Sequence, residues 1–147
     1  MELTVLGAAL AIGLAGAGVT AGEALIAKKS LEVLGKNPEL GPTIKPLTIL
    51  GIALTESAAI YGLVTGLLII FTPGITGIQG IAAGLSIGLV GMLAGLCEGW
   101  VAVQALDSIL RNPSIESEIK SNMILYIALV ESAAIYALVV SLLILFA

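Results

Sequence analysis

An all-α membrane protein, four transmembrane helices arranged as two tandem hairpins, is the fold class this sequence predicts, and three observations predict it. Hydrophobic residues make up 59% of the 147 and charged residues only 11%. Soluble domains run at about 45–50% and about 25%, so this chain lacks the polar surface that water demands. Four apolar stretches, at roughly 3–27, 47–71, 78–106 and 123–146, each reach the ~20 residues that cross a bilayer. Finally, the segment ILGIALTESAAIYGLV starting at Ile49 returns as ILYIALVESAAIYALV starting at Ile124, an offset of 75 residues with 13 of 16 positions identical.

The first hairpin is expected over 1–73, with helices at about 3–35 and 46–71. The second is expected over 74–147, with helices at about 78–110 and 121–146. No Lys or Arg precedes Lys28, so the basic start of a secretory signal is missing and the first apolar run reads as a permanent span. Barrel strands would be about half as long and would alternate in polarity. The breaks after the first and third spans are Lys36-Asn37-Pro38-Glu39 and Arg111-Asn112-Pro113-Ser114, where Asn and Pro stop a helix. The middle break, Thr72-Pro73-Gly74-Ile75-Thr76-Gly77, is uncharged.

Charge sets the orientation. The basic residues are Lys28, Lys29, Lys36, Lys45, Arg111 and Lys120, all at or near the Asn-Pro turns. The positive-inside rule puts those turns in the cytoplasm and the termini outside. The 75-residue offset also maps Pro38 on Pro113, Glu32 on Asp107, Glu23 on Glu98 and Gly13 on Gly88. Two hairpins therefore stand in the same orientation, unlike the inverted repeats of many transporters.

Glu23, Glu56, Glu98 and Glu131 lie inside apolar spans. A carboxylate there costs a few kcal/mol or more unless neutralised or paired, and is a functional candidate by default. The two glutamates of each hairpin are equally far from their turn, at a depth of roughly 25 Å for a 1.5 Å rise. They are thus expected level with each other on antiparallel neighbours. Facing carboxylates in low dielectric do not both stay ionised. One shared proton leaves a single negative charge suited to a monovalent cation. Ser57 and Ser132 add hydroxyls beside the outer glutamates, and Tyr61 and Tyr136 can donate phenolic hydrogen bonds. The blander reading of the serines is a bond to the carbonyl one turn back. Glu32 and Asp107 read as solvated helix-end charges, and Trp100 and Cys97 as packing residues. A lone Cys97 excludes an internal disulfide, and the absence of His excludes imidazole relays.

Small residues recur in the first and third spans. Gly84, Gly88, Gly91, Gly95 and Gly99 form one series, and Ala9, Gly13, Ala17 and Ala21 another. Such stripes let backbones approach closely in lipid. The other two spans end in bulky runs and suit an outer, lipid-facing circle.

The glycine-rich first helix, the KNP and RNP turns and the E-S-x-x-I-Y motif resemble the rotor-ring proteolipids of F-type and A/V-type ATP synthases, across nearly the whole chain. The resemblance implies a non-catalytic member of a homo-oligomeric ring in membrane lipid, turning against a stator subunit, with no nucleic-acid partner. It implies central-stalk contacts at Lys36, Asn37, Pro38, Arg111, Asn112 and Pro113. Sodium-binding members supply a first-helix Gln or Glu, matched by Glu23 and Glu98, and a second-helix Glu-Ser pair, matched by Glu56-Ser57 and Glu131-Ser132. They also supply a backbone carbonyl, matched at Leu54 and Leu129, and a tyrosine, matched by Tyr61 and Tyr136. A threonine that holds a water in some members is replaced by Ala58 and Ala133. The expected cargo is Na+, with H+ as the alternative, at two sites per chain, each built between adjacent hairpins. Carbodiimide is expected to label Glu56 and Glu131. A small four-helix secondary transporter is the alternative from another class.

Overall fold

The computed structural model describes residues 2–147. Helix α1 (Glu2–Lys36) runs to the first Asn-Pro turn. A short 3₁₀ turn (Pro38–Leu40) leads into α2 (Gly41–Thr55) and α3 (Ser57–Phe71), which together return across the membrane. Helix α4 (Gly77–Arg111) and, after a second 3₁₀ turn (Pro113–Ile115), α5 (Glu116–Phe146) form the second hairpin. A 35-residue helix is about 52 Å long, against a hydrocarbon core of about 30 Å. The helices therefore project beyond the bilayer, and the two returning helices begin nearer their turns than the expected 46 and 121. Pro46 lies inside α2, one turn from its start.

Helices α1 and α4 are parallel and form the tightest contact in the molecule. A Cβ added at Gly18 would overlap the Met92 backbone, and one added at Gly88 would stand 2.5 Å from the Leu10 carbonyl oxygen. Only glycine permits this approach, which lets dispersion replace the hydrophobic driving force missing in lipid. The expected α4 stripe does this packing. The expected α1 stripe does not. Ala9, Gly13, Ala17 and Ala21 are exposed, and α1 instead buries Gly7, Ala11, Gly18 and Gly22. A helix rich in small residues has more than one such face, and spacing alone does not choose between them.

Helix α3 packs on α1 and also reaches α4 and α5. Gly62 and Gly66 lie against the carbonyls of Ala11 and Ala8. In the second hairpin Ser141 takes the place of Gly66 and donates to the Ala83 carbonyl at 2.9 Å. The middle connector turns at Gly74, whose φ of 87° suits glycine. Thr76 then caps α4 through a reciprocal capping box with Gln79.

Candidate ion site between the hairpins

Four elements converge on one pair of carboxyls. Glu98 of α4 is 0% exposed, and Glu131 of α5 stands against it. The carboxyl oxygens of both are sealed from solvent, and none has a hydrogen-bond donor among the described residues. Tyr61 of α3, from the other hairpin, places its hydroxyl beside Glu131 with no hydrogen bond closed between them. Ser57 adjoins Tyr61 and donates to the Leu54 carbonyl at 2.8 Å. The serine's proton is thereby committed to Leu54, while its oxygen lone pairs remain available as ligands. An ionised carboxylate so enclosed, with no partner, costs several kcal/mol. The pair therefore requires a proton or a cation.

The other expected site residues are divided between the two flanks of the chain. Glu23 of α1 and Glu56 of the first hairpin lie within reach of each other's charge. Glu23 is half-buried and Glu56 is exposed. Leu129 and Tyr136, on α5, are 63% and 67% exposed. Ser132 donates to the Leu129 carbonyl at 2.7 Å, as Ser57 does to Leu54. The structure thus brings together Glu98, Glu131, Leu54, Ser57 and Tyr61. It does not join Glu23 and Glu56 to Leu129, Ser132 and Tyr136.

The backbone differs at the two outer glutamates. The returning helix of the first hairpin breaks at Glu56, whereas α5 runs unbroken through Glu131. Glu56 is flanked by two side chains that bond back to the backbone, Thr55 to Gly51 O at 2.9 Å and Ser57 to Leu54 O. Such bonds loosen and bend helices. The position of Thr55 in the repeat is Val130, so α5 keeps only one of the two.

Both Asn-Pro turns lie at the same end of the molecule because the hairpins are parallel. Asn37 accepts from the Glu39 amide at 3.2 Å, and Asn112 accepts from the Ser114 hydroxyl at 2.6 Å. Lys36 pairs with Glu32 at 2.6 Å, and Arg111 pairs with Asp107 while remaining 70% exposed.

Two expectations require correction here. Asp107 is not a solvated charge: Lys29 crosses from α1 to meet it at 2.7 Å. This bond holds the Asp107 carboxyl below its usual range and the Lys29 ammonium above its own. Trp100 is not packed within the chain but is 56% exposed. The signal for the Lys29 bond lay in the repeat, where Gln104 occupies the position of Lys29. Sequence reasoning also passed over Thr65, a fully buried hydroxyl without a partner among the described residues, which stands where the repeat has Val140.

Comparison with known proteins agrees with the duplicated architecture. The family model for the ATP synthase C subunit matches twice, over residues 6–69 and 81–144. The chain is similar to the chloroplastic ATP synthase c subunit of Emiliania huxleyi, 43% identical over 75 residues that span 51% of this chain and 92% of that one. It is similar to the Diacronema lutheri counterpart, also chloroplastic, at 44% identity over 51% of this chain and 90% of the relative. The Rhodomonas salina counterpart is 43% identical over 46% and 82% respectively. Half of this chain thus accounts for nearly a whole relative. The chain belongs to the ATP synthase C subunit family, the ion-translocating rotor proteins of ATP synthase, with two hairpins fused in one polypeptide.

Proposed function

We propose that this rotor protein carries Na+ at two glutamate sites per chain. The first site lies within the chain, at Glu98 and Glu131 with the Leu54 carbonyl, Ser57 and Tyr61. The second is completed between copies, with Glu23 and Glu56 of one chain meeting Leu129, Ser132 and Tyr136 of the next. The observation that carries this reading is the sealed Glu98–Glu131 pair, four carboxyl oxygens without a donor among the described residues, with Tyr61 beside Glu131 and Ser57 next to Tyr61.

The chemistry follows from charge. One proton on the pair leaves a net charge of −1, which a bare monovalent cation neutralises. Carboxylate, carbonyl and hydroxyl oxygens are the hard ligands that such an ion exchanges for its water. Once Glu131 is charged against the cation, the Tyr61 hydroxyl beside it closes a hydrogen bond to the carboxylate and holds it in place. A stator cation that meets the outer glutamate displaces the ion into an aqueous path, and rotation presents the next site. The positive-inside rule places both Asn-Pro turns in the cytoplasm, where Lys36, Asn37, Pro38, Arg111, Asn112 and Pro113 face the central stalk.

One observation favours a proton as cargo. The two carboxyls lie against each other, so a shared proton alone would satisfy them. Carbodiimide, which attacks protonated carboxyls, separates the two readings. With Na+ as cargo, millimolar sodium slows labelling of Glu56 and Glu131 in the assembled rotor, and more sodium is needed as pH falls. Labelling indifferent to sodium at every pH rejects Na+.

A further inference from the structure

The two returning helices carry nearly the same residues around their outer glutamates and differ in backbone. Glu131 lies within one continuous helix, α5. Glu56 is the single residue between α2 and α3, with ψ at −24° where an α-helix has about −42°. Its carbonyl accepts from two amides, Ala59 at 3.0 Å and Ile60 at 3.2 Å, a turn tightened towards 3₁₀ form.

The repeat narrows the cause. Over the 16 matched positions the segments differ only at Gly51/Tyr126, Thr55/Val130 and Gly62/Ala137. Gly51 and Gly62 lie inside regular helix. Thr55 adjoins the break, is fully buried, and donates its hydroxyl to the Gly51 carbonyl at 2.9 Å. In an α-helix that oxygen serves the Thr55 amide, so the hydroxyl competes for it. Ser57 is not the cause, because Ser132 makes the same bond to the Leu129 carbonyl and α5 stays whole. The Thr55 methyl is anchored against α1, where a Cβ added to Gly22 would stand 3.3 Å from it. Glu56 itself is exposed.

We infer that Thr55 is a positioning residue that keeps the returning helix open at Glu56, and that Glu56 therefore releases its ion faster than Glu131 does. The inference rests on the proposal of two ion sites per chain. Release requires the outer carboxylate to turn away from its ligands. At Glu131 a continuous ladder of backbone bonds resists that movement. At Glu56 the ladder is interrupted, and local opening is easiest where backbone bonding is weakest. The enclosed site takes only uncharged ligands from the broken helix, and two of them, the Leu54 carbonyl and Ser57, are tied to each other at 2.8 Å. The expected ratio of release rates is about three- to tenfold, the range to which the net worth of one hydrogen bond converts. The rotor then hands over its ions in alternating fast and slow steps.

Release of radioactive sodium from the purified, assembled rotor after dilution into sodium-free buffer tests it. The expected decay has two phases of equal amplitude, and Glu56→Gln removes the fast one. Thr55→Val, which copies the second hairpin, slows the fast phase to the rate of the slow one. Thr55→Ser keeps the hydroxyl and keeps the fast phase. Val130→Thr speeds the slow phase. None of these last three changes the amount of sodium bound at saturation. A single phase from the unaltered rotor with two ions per chain overturns the inference. So does loss of the slow phase in Glu56→Gln, or a pair of phases that Thr55→Val leaves unchanged. A second measurement needs no sodium. In solid-state NMR of the same rotor, the backbone carbon shifts of Glu56 differ from those of Glu131 and move onto them in Thr55→Val. Shifts that coincide from the start, or that Thr55→Val leaves apart, overturn the inference as well. A rotor that retains no sodium fails the proposed cargo instead, and the shifts alone then decide the role of Thr55.

Discussion

The two carboxylate pairs of this chain have nearly the same sequence around them and opposite surroundings. Glu98 and Glu131 are enclosed, with a tyrosine and a serine delivered by the other hairpin. Glu23 and Glu56 have the same motif, yet Glu23 is only half-buried and Glu56 is exposed. The difference lies in adjacency rather than in local chemistry. The second hairpin has the first beside it, whereas the flank of the first is bare in a single copy. On the proposed reading, an E-S-x-x-I-Y motif holds half of a site, and its partner half comes from whichever hairpin lies alongside.

Breaking both pairs has the largest expected effect. Glu56→Gln with Glu131→Gln abolishes ion transport, measured by flux into vesicles, while the assembly still forms. Transport that survives the double change removes any role for these carboxyls. Next in size is a difference in labelling rate. In single chains held apart in detergent, Glu56 reacts with carbodiimide at least ten times faster than Glu131. In the assembled rotor the two rates converge, because neighbours enclose Glu56. Equal rates in separated chains would erase the contrast. The tyrosines sharpen the comparison further. Loss of one hydrogen bond to a charged group costs about 1.5–3 kcal/mol, tenfold or more in affinity. Tyr61→Phe therefore weakens sodium protection at Glu131 and spares Glu56, whereas Tyr136→Phe does the reverse. A change confined to the tyrosine's own hairpin would contradict sites built across hairpins.

The smallest effect concerns the Lys29 bond. Asp107 is held below its ordinary value, so its contribution is present at neutral pH and is lost as pH falls towards and below about 4. Lys29 is held above its ordinary value, so its contribution is lost only as pH rises through that elevated value. Lys29→Gln is expected to lower the melting temperature of the single chain at pH 7, by an amount that shrinks as pH falls through the depressed Asp107 value. A loss that does not shrink on acidification would point to packing rather than charge.

The fold was largely legible in the sequence because span length and turn chemistry are local properties. Runs of apolar residues ended by Asn-Pro mark each hairpin without reference to its neighbours. The pairing of glutamates within a hairpin was equally legible, since equal distances from a turn fix equal depth. What was hidden depends on how the helices are rotated about their axes. The Ala9–Gly13–Ala17–Ala21 stripe has the same spacing as the face that packs, and only the assembled structure shows α1 turning Gly7, Gly18 and Gly22 towards α4. The break at Glu56 was hidden for a different reason. It accompanies Thr55, a single hydroxyl within an otherwise closely matched repeat, whose effect on the backbone is a matter of hydrogen-bond competition.

The short connector between Phe71 and Gly77 has an arithmetical consequence for any rotor built from this chain. Hairpins are added two at a time, so their total around the circle is even whatever the number of chains. With one carrier per hairpin, as proposed, adding a single chain raises the ions moved per revolution by two. The gearing between ion flow and rotation is therefore adjusted in coarser steps than a rotor of separate hairpins allows.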